Sequence, residues 1–238
     1  MISVVIPSFN SFKTIGYTLK SLLSQNSINL LSKIIVVDSS DDGKTGQVIS
    51  EYKSEKISVI TRQTKTIPAT ARNLGAEYAA SDILAFIDSD AFVAPEWLEK
   101  ISLAYKGGIR VAGGSISLPE FQRNKILPLA QYFLQFNEFI GKRGCRNKKF
   151  VPSVNMFCEK SLFDEVGGFP DIRASEDVLF GLKVNKITQI RFIPQIKVYH
   201  IFREDWAAFL ANQKLLGKYI IKYRKQAYKN KFYYAGLW

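Results

Sequence analysis

Four short apolar runs in the first half of the chain, each leading into polar or acidic residues, restrict the available folds more than any other feature. They are "SVVIP" (3–7), "KIIVVD" (33–38), "ISVIT" (57–61) and "ILAFID" (83–88). Short runs rich in Val and Ile read as buried strands. Between the first two, Phe12, Ile15, Leu19, Leu22 and Leu23 recur at helical spacing. Before the fourth, "PATARNLGAEYAA" reads as a helix opened by Pro68, a residue suited to the first helical position. The alternation predicts an α/β fold, a mostly parallel, Rossmann-like central sheet flanked by helices. In such sheets ligands gather at the carboxyl ends of the strands. Asp38, Asp88 and Asp90 all stand there.

The pair in "LAFIDSDAF" has two readings. Asp and Ser accept local backbone hydrogen bonds and often end strands in turns. Carboxylates at i and i+2 can also converge on one hard divalent cation, which in turn bridges to phosphate. The motif is too short to decide alone.

The second half is less regular. "PEWLEKISLAYK" reads as a helix opened by Pro95, "IRVAGGSISL" as a strand interrupted by Gly113 and Gly114, and "PLAQYFLQFNEFI" as an aromatic helix. Two short helices and the strands "QIRFI" and "IKVYH" follow "VPSVNMFC". Neither a repeat nor a Pro/Gly linker separates units, so one domain is expected, with halves at 1–115 and 116–205 and a helical tail at 206–238.

The chain has 238 residues, 47% of them hydrophobic, enough for a sizeable core. Two cysteines, Cys145 and Cys158, suit neither a disulfide framework nor a C-x-x-C site and point to a reducing, cytoplasmic setting. No signal-like or bilayer-spanning stretch is read in the sequence. The 33 Lys and Arg against 21 Asp and Glu give a net charge of +12, placed mainly in "GKRGCRNKKF" (141–150) and in the tail. No acidic residue follows Asp205. The tail mixes lysines with Tyr, Ile, Leu and Trp, a composition suited to peripheral contact of 214–238 with an anionic membrane surface or to packing on the domain.

Further along, "GGFPDIRASEDVLFGLKV" places Ser175 as an expected helix N-cap, with Glu176 and Asp177 in the first turn. Asp38 has the chemistry to accept N–H groups of a nucleobase, and Arg72 offers a planar donor fork for a diphosphate.

Taken in order, "SVVIPSFN", "VVDSSDD", "ARNLGAEYA", "AFIDSDAF" and "GGFPDIRASEDVLFGLKV" resemble the inverting family-two glycosyltransferases of GT-A fold, over roughly residues 1 to 205. The resemblance implies transfer of a single sugar from a nucleoside diphosphate sugar, UDP-linked by preference, to a hydroxyl of a glycan or lipid-linked acceptor. It implies that Pro7, Ser8 and Asn10 form the first nucleotide loop, and that Asp38, Arg72 and Asp88 complete the nucleotide pocket. It gives Asp90, with Asp88, to Mn²⁺ or Mg²⁺, and Asp177 to the general base beside Glu176. His200, the lone histidine, is either a packed residue or, by the same analogy, a third metal ligand. Trp206 is either an acceptor-stacking ring or a core contact. The Q-x-x-R-W segment and membrane spans of processive synthases are not seen.

Two rivals remain at the level of sequence. A nucleotidyltransferase would favour a Gly-rich phosphate loop, which "IPSFNSFKT" lacks. A non-catalytic binder of an anionic polymer or membrane would not need the full carboxylate set. Nucleic acid is not an expected partner.

Overall fold

The computed structural model describes residues 1–229. Its centre is one sheet of nine strands: β1 (Ile2–Ser8), β2 (Leu31–Asp38), β3 (Ile57–Thr61), β4 (Ile83–Ile87), β5 (Ala91–Val93), β6 (Val111–Ser117), β7 (Arg146–Lys148), β8 (Asn155–Glu159) and β9 (Ile190–His200). The order is β3-β2-β1-β4-β8-β6-β9-β5, with β7 also on β9. The first four strands are parallel. β1, β2 and β4 are buried along most of their length, as near-continuous apolar sequences require of strands covered on both faces, whereas β3 is a largely exposed edge strand. The sheet turns antiparallel at β4–β8, so it is mixed.

Helices α1 (Ile15–Leu23), α2 (Thr45–Glu51), α3 (Pro68–Glu77) and α4 (Trp97–Lys106) belong to the first half. Ile15, Leu19 and Leu22 are fully buried, which accounts for the helical spacing in α1. Pro68 opens α3 as expected. Gly75 lets that helix lie close on β1, where an added Cβ would come within 2.3 Å of Val5 Cγ1. One main core, from Val4 and Val36 through Phe86 to Phe157 and Phe192, runs through both parts of the sheet.

The second half adds α5 (Ile126–Phe136), α6 (Lys160–Glu165), α7 (Glu176–Val184) and α8 (Trp206–Lys229). "QIRFI" and "IKVYH", read as two strands, form the single strand β9. Its register on β6 jumps from Gly114↔Ile193 to Ser115↔Lys197, a bulge at Pro194, which has no N–H for a ladder. An added Cβ on Gly114 would sit 1.6 Å from the Ile196 carbonyl oxygen, and one on Gly113 would strike Val151. Backbone and side-chain packing therefore occupy the space beside both glycines.

Buried polar side chains fix this irregular region. Asn155 donates to the carbonyls of Ser115 (3.0 Å) and Ile196 (2.8 Å) and accepts from Trp97 Nε1 (3.0 Å). Gln122 and Gln131 hold the carbonyls of Phe202 and Arg203. The basic loop carries β7, which pairs with the first part of β9.

Candidate active site

The site is assembled at the carboxyl ends of β1, β2 and β4. On β2, Asp38 Oδ1 accepts from Ser8 Oγ (2.8 Å) and Ser40 Oγ (2.6 Å), which fixes the carboxylate between two strand ends. Asn10 has a positive φ of 50°, a conformation Asn tolerates well. Its side chain donates to Asp41 Oδ1 (2.7 Å) and accepts from the Asp41 N–H, tying the first loop to the loop after β2. Pro7, Ser8, Arg72, Asp88 and Asp90 line a cleft of about 190 Å³.

The "DSD" segment is a turn that also brings potential metal-donor atoms together. The turn closes with Ala91 N–H on the Asp88 carbonyl, and the chain continues as β5, antiparallel to the end of β9. That register pairs Ala91 with His200, and Ile201 N–H donates to the Asp90 carbonyl at 2.8 Å. His200 Nε2 consequently lies 3.4 Å from Asp90 Oδ1. One donor atom from each of Asp88, Asp90 and His200 falls within 4.8 Å of the other two. Two carboxylates and an imidazole form a donor set that fits Mn²⁺ or Mg²⁺, the imidazole favouring the softer Mn²⁺. The His200 ring is packed against Phe136 and Phe202, which limits its reorientation. Burial raises the Asp90 pKa; His200 opposes the rise and Asp88 adds to it. With 36% of the Asp90 side chain exposed, water moderates the effect.

Arg72 links the two sides of the site. Its guanidinium is nearly inaccessible, donating to Asp88 Oδ1 at 2.5 Å and to Glu176 Oε1 at 2.7 Å. Burial works against its charge, and the Asp88 and Glu176 carboxylates more than restore it. The donor fork expected to face a diphosphate is thus engaged by two carboxylates, while the residue lines the first cleft and a second, adjoining one.

That second cleft, of about 350 Å³, is lined by Glu176 and Asp177, by Arg173 and Arg203, and by Asn212 and Leu216 of α8. It shares Arg72, Asp88 and Asp90 with the first. Gly181 lets α7 pack on the backbone at Lys149 and Phe150, where an added Cβ would meet the Lys149 oxygen at 2.6 Å. This packing brings Asp177 to Ser153, whose N–H points to Oδ2 at 3.4 Å. Burial and the neighbouring Glu176 push the Asp177 pKa up to about 7, against the pull of Arg72. A carboxyl poised there can exchange a proton near neutrality.

Ser175 departs from expectation. It occupies the N-cap position of α7 but has a left-handed backbone, φ 67°, and makes no side-chain cap bond. N-cap bonding requires an extended residue, so Ser175 acts through backbone shape instead. Trp206 opens α8, is 61% exposed and is absent from the lining of both clefts. Residues 230–238 of the predicted membrane-contacting tail lie outside the described residues. Sequence reasoning missed Ser153 and the cleft wall from α5 and α8, because no local motif marks a backbone N–H or a helix that arrives from elsewhere.

Comparison with known proteins agrees with this architecture. A 25% identical relative, glycosyltransferase AglE of Haloferax volcanii, aligns over 71% of this chain and 56% of its own length. WfgD of Escherichia coli, a UDP-Glc:alpha-D-GlcNAc-diphosphoundecaprenol beta-1,3-glucosyltransferase, is 29% identical over 50% of this chain and 46% of its length. The chain thus spans about half the length of these curated relatives. Staphylococcus aureus TarS 1-349 with UDP-GlcNAc superposes with a TM-score of 0.65 at 23% identity, covering 86% of this chain and 59% of that one. GalNAc-T7 with UDP, GalNAc and Mn²⁺ superposes at 0.68 and 18% identity, covering 86% and 44%. These structures share the GT-A fold. The sequence model for Glycosyl transferase family 2 matches residues 3–167, more than half of the chain, and the chain belongs to that family.

Proposed function

We propose that the protein transfers one sugar, with inversion, from a UDP-sugar to a hydroxyl on a glycan or lipid-linked acceptor in the cytoplasm. The observation that carries this reading is the joined cleft itself. Asp88, Asp90 and His200 converge at its donor end, and Asp177 stands on its other wall. UDP-bearing structures of the same fold and the WfgD name support UDP and a lipid-linked acceptor.

The roles follow from position. Asp38 meets the base, with Pro7, Ser8 and Asn10 shaping the loop around the nucleoside. Asp88 lies toward the ribose, and Asp88, Asp90 and His200 would hold the cation. When bound, that cation supplies positive charge to the departing diphosphate. Arg72 adds a buried positive charge while holding Asp88 and Glu176 in place. Asp177 takes the acceptor hydroxyl proton as the oxygen forms its bond to the anomeric carbon and the bond to the diphosphate breaks. Glu176 orients that end of the site through Arg72, and Trp206, exposed at the start of α8 and outside both clefts, would meet acceptor only beyond them.

The test is calorimetric titration of UDP, GDP, dTDP and ADP, with Mn²⁺ and then with chelator. Metal-dependent binding of UDP is expected, weakened in Asp90→Asn. If no diphosphate binds in either condition, the reading fails.

A further inference from the structure

A helix that is apolar all round belongs inside a protein or against something else. Helix α5 meets this description without being enclosed. It buries Leu127, Gln131 and Tyr132, yet its opposite side presents Ile126 (81% exposed), Leu129 (38%), Phe133 (50%) and Leu134 (66%). Helix α8 extends the feature with Trp206 (61%), Leu210 (60%) and Ile221 (59%), spaced so that Lys214 falls on the same face. The two helices start side by side. Gln131 donates to the Arg203 carbonyl at 2.6 Å, and Lys125 pairs with Glu204 just ahead of α8.

We infer that the outer faces of α5 and α8 form a seat for an anionic phospholipid bilayer, holding the acceptor side of the cleft at headgroup level. Charge selects this occupant. Helix α8 presents Lys214 and Lys218 at exposed positions and no acidic residue follows Asp205 in the chain, whereas Arg123 and Lys125 ahead of α5 are paired with Glu120 and Glu204. Lysines beside Trp and Leu can keep their ammonium groups among phosphates while the rings and stems enter the interface. A second copy of this chain pressed symmetrically on the same face would gather lysines around one contact, where like charges repel. Among the described residues no helix is long and apolar enough to cross a membrane. The inner sides of the same helices give Gln135 and Phe136, and Asn212, Leu215 and Leu216, to the cleft wall. Whatever bears α5 and α8 thereby fixes where the cleft opens.

The test is co-sedimentation of the full chain with phosphatidylcholine vesicles, with and without phosphatidylglycerol, for the wild type, the double variant Phe133→Glu/Leu134→Glu and the double variant Lys214→Glu/Lys218→Glu. Circular dichroism melting verifies folding, and sedimentation velocity reports self-association. The wild type is expected to partition onto the anionic vesicles. The apolar-face variant should lose about tenfold or more of that partition, and the lysine variant should lose its preference for anionic lipid. Failure of the wild type to bind, or unchanged binding by a folded Phe133→Glu/Leu134→Glu variant, overturns the inference. So does a wild-type dimer that this variant dissociates, which would give the face to a second copy. Vesicle binding does not require the nucleotide site to work, so this outcome and the nucleotide titration are read separately.

Discussion

The two halves of the sheet reach order by different means. From β3 to β4 the strands are parallel and apolar, and helices cover them in the sequence order that parallel connections impose. From β8 to β5 the order is scrambled, β9 is bulged, and buried amides of Asn155, Gln122 and Gln131 hold backbone carbonyls at the bulge and just beyond β9. A repetitive half can be built from pattern alone. An irregular half depends on particular side chains, and the proposed base rests on that side.

The sharpest test of this division separates binding from turnover. Asp177→Asn should lower transfer by about 10²–10⁴-fold while leaving metal-dependent UDP affinity near wild type. Asp90→Asn on the regular side should weaken UDP affinity first. Steady-state rates with calorimetry would show the split, and near-normal turnover in Asp177→Asn would remove it from the role of base.

The next effect is on stability. Gly114→Ala forces a methyl group into the Ile196 carbonyl and should cost about 3 kcal/mol or more in urea unfolding, since that carbonyl is held by Asn155 between two paired stretches of β9. Gly75→Ala meets Val5 side-chain atoms, and α3 can shift outward, so a cost of about 1–2 kcal/mol is expected. Equal costs would erase the contrast between the halves.

The pH response is smaller. Asp177 has a folded-state pKa of about 7, above its ordinary 3.8, so between those values the folded chain holds a proton that the unfolded chain has released. Its contribution is therefore complete below about pH 4 and fades as pH rises through 7, a loss on the order of 2 kcal/mol after allowing for water at the cleft. The activity of a carboxylate base moves the other way, rising with pH through the same range. Melting curves of wild type and Asp177→Asn should diverge above neutrality, the variant gaining. Least of all, Glu120→Ala breaks an exposed i, i+3 pair with Arg123 and should change stability by no more than about 0.5 kcal/mol.

How much could be read from sequence follows the same division. Strands β1, β2 and β4 were legible because their apolar runs are nearly continuous, β3 because its run is β-branched, and helices α1, α3 and α4 because their buried residues recur at helical spacing. The strand β5 was not, being three residues long and placed directly after the aspartate turn. Nor was the unity of β9, since Pro194 looks like a break until β6 is seen to accommodate it. Within the site, Asp88 and Asp90 stand two positions apart in sequence and were visible as a pair. Their approach to His200 is a matter of β5–β9 register, and the Arg72–Glu176 bridge joins residues 104 positions apart.

The left-handed backbone at Ser175 limits what the chain can accept just ahead of Glu176 and Asp177. With φ at 67°, glycine, asparagine or aspartate can stand there at little cost, whereas valine or isoleucine would strain the turn whatever its chemistry. The permitted alphabet at that position is thus set by chain geometry before any substrate is considered.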